Sequence, residues 1–212
     1  MTAIKVFSPP PRHDARMSAV DYNEVLDFWF AKREQDQLTV DARMDGWFGN
    51  DPAFDATIAE RYCGLTEAAL RGELDDWAAD PRGRLALILV LCQFPRHIYK
   101  HDKRAFRGDR RALKLCEAGV ASNDYKKLSP LEQLFFFLPL QRIESLKIQQ
   151  TSVKIFDALT GRVSETLRDT FDTVAQFAEL RHDIIAEFGR FPHRNSSLGR
   201  ANSSEEDNYL SV

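Results

Sequence analysis

Two short segments of this sequence combine a Phe-Pro pair with arginine and histidine, and each comes directly after an apolar stretch. The first, QFPRHIY, occupies residues 93–99, and the second, RFPHRNSSLGR, occupies residues 190–200. Proline sets the direction of the chain after a helix and phenylalanine anchors the turn in the core, so the polar residues that follow are held in place. These segments are therefore the first candidates for a binding or catalytic site.

The second segment carries five polar residues that suit an anion: Arg190, His193, Arg194, Asn195 and Arg200. A guanidinium group offers a planar fork of donors to a carboxylate or phosphate. Histidine can move a proton near neutral pH, so His193 is the first candidate for acid–base catalysis, and asparagine can orient either partner. The alternative is structural, because cations near a helix C-terminus are stabilised by the helix dipole and pair with acidic residues.

The first segment adds Arg96 as a candidate ligand-binding residue and His97 as a secondary catalytic candidate. Cys92, just before it, is a further catalytic candidate as a nucleophile. It shares a helix face with Leu85 and Leu89, however, and a buried structural thiol is the alternative.

Two arginines are predicted to point into the protein. In the helix expected over 164–188, Arg181 falls within the arc of the inner face and His182 falls outside it. The residues that define this inner face are apolar: Phe177, Leu180, Ile184 and Phe188. The same arithmetic places Arg142 inward, on a helix that also carries Phe135 and Leu138.

An inward arginine must be paired or line a wet cavity, because burying a lone charge is costly. Glu132 and Glu144 are the candidate partners, and Glu144 also belongs to the candidate ligand-binding residues. The two arginines therefore predict an anion-binding pocket, and a structural Arg–Glu network is the alternative.

Apolar spacing and capping residues predict helices along the whole chain, with no strand and no hairpin turn. Residues 85–92 are apolar on every face, so their helix is expected at the centre, and Pro139 is expected to kink a second apolar helix. In the helix that begins at Asp109, the inward residues include Val120. Helix starts are predicted at Asp21, Asn50 or Asp51, Asp80, Asp109, Ser129 and Ser203, with further helices over 146–160 and 164–188.

The predicted fold class is all-α, a layered array of antiparallel helix pairs in a single domain over residues 19–212. Residues 1–18, which include three consecutive prolines, are predicted to be an irregular tail. No strict 34-residue repeat is visible, so the periodicity alone does not indicate a helical-repeat protein.

Composition and motifs exclude several function classes. The 212 residues include 29 basic and 32 acidic ones, a net charge of −3 that argues against nucleic-acid binding. The longest apolar run is too short for a membrane span, and three scattered cysteines indicate reduced thiols and the cytoplasm. Nucleotide-loop and zinc-protease motifs are absent. His97, His101, His182 and His193 lack a diagnostic metal-site spacing, so no metal or cofactor is predicted.

Several stretches resemble an uncharacterised family, catalogued as domain of unknown function 924. The resemblance covers roughly residues 22–211, and FGRFPHRNSSLGR at 188–200 is its most specific element. The other matching stretches are VLDFWF at 25–30, the turn from Trp77 to Pro81, LALILVLCQFPRHIY at 85–99, SPLEQLFFFLPL at 129–140 and SSEE at 203–206. The resemblance implies an all-helical fold of helix pairs stacked like tetratricopeptide repeats, and no established reaction.

This chain departs from the usual pattern of the family it resembles. Members usually have Asp where this chain has Cys92, and Asn where it has His97. They usually have His at the positions of Arg142 and Arg181. The departures change the centre from acidic and imidazole-rich to cationic. They imply either a specialised member that binds an anion or a descendant without catalysis.

Three functions follow from these patterns. The first is binding or conversion of a small anionic metabolite, with Arg142, Arg181 and Arg194 holding the anion and His193 serving as acid–base. The second is a non-catalytic protein or peptide interaction module of the helical-repeat type. The third is a scaffold, monomeric or homo-oligomeric, in which acidic residues satisfy these arginines. Whether the protein is an enzyme stays open.

Overall fold

The computed structural model describes residues 20–31 and 37–211, and these two ranges form helices and turns with no strand. The all-α prediction is therefore confirmed, while the predicted tail over 1–18 lies outside the described residues. The helices are α1 (Tyr22–Trp29), α2 (Gln37–Phe48), α3 (Pro52–Arg71), α4 (Pro81–Cys92), α5 (Phe94–Ile98), α6 (Asp109–Ala121), α7 (Pro130–Phe137), α8 (Leu146–Thr160), α9 (Glu165–Phe188), α10 (Asn195–Leu198) and α11 (Ser204–Leu210).

Five of the helices begin at residues whose side chains cap the first turn. Asp21, Asp51 and Asp80 accept hydrogen bonds from the exposed backbone N–H groups of the first turns of α1, α3 and α4. Ser129 and Ser203 form capping boxes at the starts of α7 and α11. These five caps were predicted, because each depends only on residues within one turn.

Helix α4 lies at the centre of the fold. All its side chains from Leu85 to Cys92 are fully buried, and the helix contacts α1, α3, α6 and α7. A helix that is apolar on every face must be surrounded by protein, and this is what its sequence predicted. None of the helices in the described ranges is long and apolar enough to cross a membrane.

Two prolines shape the segments that carry the polar residues. Helix α4 ends at Cys92, and α5 begins at Phe94 with Pro95 in its first turn. Helix α7 ends at Phe137 and continues as a 3-10 turn, Leu138–Arg142, which we call the Pro139 turn. The predicted kink is thus a change of helix type, because Pro139 cannot donate a backbone hydrogen bond.

Three predicted inward positions are wrong. Val120 is 41% exposed, because α6 packs through Leu113, Cys116 and Gly119. Phe177 and Leu180 are 37% and 51% exposed. The buried face of α9 is rotated away from them, since the helix packs on α8 and the Pro139 turn through other side chains: Leu167, Phe171, Val174 and Ala178.

Candidate functional site

A cavity of about 280 Å³ lies where the end of α2, the junction of α4 and α5, the Pro139 turn and α9 meet. One part of its wall is apolar, and its side chains are Trp47, Phe48, Leu138, Val174 and Phe177. The other part is polar and cationic, with the side chains of Gln93, Arg96, His97, Lys100, Gln141, Arg142 and Arg181. The cavity therefore joins a hydrophobic surface to a positively charged one.

Arg142 and Arg181 both line this cavity, and neither forms an ion pair with a described carboxylate. Arg142 donates weakly from Nη2 to Gln93 Oε1 at 3.4 Å, and its buried Nε has no described partner. Arg181 donates from Nη1 to Gln141 Oε1 at 2.6 Å. Their hydrogen bonds are to neutral oxygens, so their charges are not neutralised by the described protein.

The predicted acidic partners of these two arginines are wrong. Glu132 lies 2.5 Å from Arg82 and closes the capping box of α7, and Glu144 pairs with Arg200. Both carboxylates are engaged elsewhere, because each meets an arginine far away in the sequence.

The two Phe-Pro segments converge on one carboxylate, Asp109. Arg96 binds it through two hydrogen bonds of 2.8 Å, and Arg194 Nη1 lies 3.6 Å from Asp109 Oδ2. The Phe106 ring lies under both guanidinium groups, whose central carbons are 5.6 and 4.9 Å from its centroid. Arg194 also donates to the backbone carbonyl of Arg142 at 2.9 Å. The repeated motif thus brings two arginines to one acid.

Four guanidinium groups lie close enough to repel one another, and we call them the arginine cluster: Arg96, Arg142, Arg181 and Arg194. Two of them, Arg96 and Arg194, pair with the buried carboxylate of Asp109. Burial and repulsion from Arg96 lower the pKa of Arg142 and of Arg194 to about 10. Burial and three neighbouring arginines lower the pKa of Arg181 well below its usual value. Burial also acts against the charge of Arg96, but Asp109 outweighs it and raises the pKa. The charge of Arg96 is thus stabilised by Asp109, whereas burial and the neighbouring positive charges make the charged form of the other three arginines less favourable.

His97 lines the same cavity and is held by α3. Its Nδ1 lies 2.7 Å from Asp55 Oδ1, and Asp55 is also paired with Lys100. The imidazole makes T-shaped contacts with the Trp29 and Phe54 rings, at centroid distances of 5.8 and 5.6 Å. Burial lowers the pKa of His97 although Asp55 acts in the opposite direction, so the ring is neutral at pH 7. The carboxylate of Asp55 can only accept a hydrogen bond, so Nδ1 of the neutral ring must donate it. The proton is therefore on Nδ1, and Nε2 has a lone pair.

The other two catalytic candidates lie outside the cavity lining. Cys92 is fully buried behind it, and burial raises the pKa of the thiol, so the group is protonated at neutral pH. His193 is an exposed residue whose ring packs against Phe191, with centroids 5.5 Å apart. Desolvation and the positive charges of Arg194 and Arg181 lower the pKa of His193 to about 4.

The remaining predicted ligand-binding residues anchor the C-terminal segment. Arg190 binds Glu206 through two hydrogen bonds of 2.6 Å, and Asn195 donates to the same carboxylate at 3.2 Å. Arg200 holds Glu144 through bonds of 2.8 and 2.9 Å. None of these four predicted residues lines the cavity, and their contacts match the structural alternative. They support the turn that carries Arg194.

Sequence reasoning missed four residues of this region: Asp55, Lys100, Asp109 and Gln141. The sequence pattern indicated only a helix start at Asp109. Gln141 had a usable signal, since it is a polar residue directly after an all-apolar run and is fully buried. Within the described ranges, no three histidine, cysteine or acidic side chains gather as metal ligands.

Comparisons with known proteins show which family model the sequence matches and which solved structure has a similar fold. Residues 25–212 match the family model described as bacterial protein of unknown function (DUF924). The solved structure of a protein of unknown function from Agrobacterium tumefaciens is similar, with 30% identity and a TM-score of 0.74. The match covers 89% of this chain and 96% of the other. No curated protein matches the chain.

Proposed function

This chain belongs to the family of bacterial proteins of unknown function whose model it matches, and we propose that it binds a small anionic metabolite in the cavity beside the arginine cluster. One observation carries the proposal. Arg142 and Arg181 face the cavity with no described carboxylate partner, while Asp109 is already held by Arg96. A bound carboxylate or phosphate would accept hydrogen bonds from both and offset the cost of their burial.

The count of charges points the same way. Of the four guanidinium groups, Arg96 and Arg194 pair with the carboxylate of Asp109, and the other two pair with no described carboxylate. Lys100 and Asp55 neutralise each other. Fixed charges in a partly desolvated cavity interact more strongly with an anion than they would in water. The arginine cluster thus has an excess of positive charge that favours anionic ligands over neutral ones.

The dimensions favour a small ligand with an apolar part. The volume of about 280 Å³ is near the lower end for ligand pockets, which is roughly 300 Å³. Trp47, Phe48 and Phe177 offer aromatic surface beside the cations, and the Arg181 guanidinium carbon lies 5.5 Å from the centroid of the Phe177 ring. An aryl or branched alkyl group attached to a carboxylate would contact both parts of the wall.

Thermal denaturation with added inorganic phosphate or phenylacetate, at constant ionic strength, tests this proposal. A ligand stabilises the fold by an amount that grows with its concentration relative to its dissociation constant. We expect the wild type to be stabilised, and Arg181→Gln to lose the effect. Arg110→Gln is the matched control, because Arg110 is exposed on α6. Equal stabilisation of wild type and Arg181→Gln would contradict the proposal.

The second candidate, a peptide-binding module, is favoured by one observation. Phe177 and Leu180 are 37% and 51% exposed and lie within one turn of Arg181 on α9. If the site binds peptides, an apolar tripeptide with a free carboxylate would bind more tightly than phenylacetate, and Leu180→Ser would remove the difference. A metabolite site predicts the reverse order of affinity, because the cavity is too small for a tripeptide.

A further inference from the structure

His97 differs from the other ionisable side chains of the cavity wall. Arg96, Arg142, Arg181 and Lys100 are cations, whereas His97 is neutral at pH 7 and carries a lone pair on Nε2. The hydrogen bond of 2.7 Å involves only Nδ1, and no described group bonds Nε2. Since His97 lines the cavity and its Nδ1 is already bonded, Nε2 is the ring nitrogen left for a ligand there.

Two further residues hold this imidazole in one orientation and one tautomer. Asp55 Oδ1 accepts the proton-bearing Nδ1, and Lys100 binds the other oxygen of the same carboxylate. Such an arrangement fixes which nitrogen acts as the base and stabilises the imidazolium that forms after proton transfer. Asp55 and Lys100 are therefore positioning residues for His97.

The surrounding wall limits the chemistry that this base can assist. No serine, threonine or cysteine is among the described residues that line the cavity, so the lining offers no hydroxyl or thiol nucleophile. Arg142 and Arg181 supply two positive charges that have no acidic partner among the described residues, and the field of Arg142 reaches His97. Preorganised positive charge is most effective where negative charge develops during a reaction.

From this arrangement we propose that His97 is a general base that enolises a bound 2-oxo carboxylate with an apolar side chain. The inference rests on the proposed function, because the carboxylate must be held by the arginines. The ligand C3–H bond breaks and an N–H bond forms at Nε2. The electron pair moves into the C2–C3 bond, and the negative charge develops on the oxygen attached to C2.

The intermediate has two negative groups, the carboxylate and the enolate oxygen, and these match Arg142 and Arg181. The imidazolium then returns its proton to the enolate oxygen, which yields the enol and restores neutral His97. The net reaction is a keto–enol tautomerisation, which needs no co-reactant. The apolar wall, with Trp47 and Phe177, holds the side chain of the ligand.

Phenylpyruvate in deuterated buffer is the probe, and the exchange of its C3 protons is followed by proton NMR. We expect the protein to accelerate this exchange at least tenfold over buffer at the same pH. His97→Gln is expected to lose most of the acceleration, because general-base catalysis contributes about 100-fold or more. His182→Gln is the matched control, since His182 lies on α9 outside the cavity lining and contacts Asp183.

A structural role for His97 is separated from a catalytic one by two further measurements. We expect phosphate still to stabilise His97→Gln, and this result would show that the cavity of the variant is intact. Asp55→Asn should slow the exchange, and nitrogen NMR should show that His97 no longer holds its proton on Nδ1 alone. If the exchange in Asp55→Asn is slow and the tautomer of His97 has changed, Asp55 acts by fixing the tautomer, as we propose.

The possible failures are distinguishable. Binding of phenylpyruvate that Arg181→Gln abolishes, without accelerated exchange, would overturn the role of His97 and leave the anion site standing. Binding of phosphate but not phenylpyruvate would overturn the substrate class. If neither binds, the proposed function fails and the enolisation with it. Exchange that His97→Gln does not reduce would also overturn the inference.

Discussion

Replacing Arg142 with methionine is expected to stabilise the ligand-free protein. Burial and the neighbouring Arg96 lower the pKa of Arg142 from 12.5 to about 10. The guanidinium is still charged at pH 7, so the folded state bears the unfavourable free energy that this shift represents. One pKa unit is about 1.4 kcal/mol, and the shift therefore corresponds to roughly 3 kcal/mol.

Methionine is unbranched and adaptable, and it can occupy the space of the arginine stem. The substitution removes a weak hydrogen bond to Gln93, at 3.4 Å, a hydrogen bond with Cys92 and the attraction of Asp109. The pKa of about 10 already includes the last two interactions, so removing the charge should still relieve a large part of the unfavourable free energy. We expect Arg142→Met to increase the free energy of unfolding by about 1–2 kcal/mol. For a chain of this length, the melting temperature should rise by about 4 °C. Phosphate should no longer stabilise the variant.

Arg96→Met is the matched control, because it removes an arginine of the same cluster that is paired. Asp109 is 5% exposed and would retain only Arg194 at 3.6 Å. Breaking a buried ion pair in this way typically costs about 3–5 kcal/mol. Urea unfolding at pH 7 measures both variants. If the free energy of unfolding of Arg142→Met falls by more than about 1 kcal/mol, the claim that the charge of Arg142 is unfavourable is refuted. A change of stability in the same direction in both variants would refute it too.

Two further outcomes are expected. The pKa of His97 is lowered in the folded state, so the unfolded chain binds its proton first as the pH falls below 6.5. The free energy of unfolding should therefore decrease below that pH, and urea titrations of His97→Gln should lack this part of the decrease. Gly108→Ala should lower the free energy of unfolding by about 1–3 kcal/mol, because the added Cβ would collide with the carbonyl oxygen of Leu91 on α4. Gly161→Ala should unfold at nearly the wild-type urea concentration, because φ is −66° and the added Cβ would meet its neighbours only at ordinary van der Waals distances.

The helices and four of the cavity-lining residues could be predicted because their signals are local: Arg96, His97, Arg142 and Arg181. A cap such as Asp80 depends on atoms within one turn, and the all-apolar face pattern of Leu85 to Cys92 requires burial whatever the neighbours are. The inward direction of Arg181 followed from the same periodicity, although two of the apolar residues that defined its face are exposed. The neighbours of α9 decide how far the helix rotates, and no local pattern contains them.

The sequence by itself determined an all-helical fold, its helix starts, and an excess of arginine near two Phe-Pro turns. Only the tertiary structure decided which arginine meets which acid. Glu144 pairs with Arg200, 56 positions away, and Asp109 with Arg96, so neither carboxylate partners Arg142 or Arg181. Ion pairs act over a few ångströms, and sequence spacing does not report such distances between separate helices.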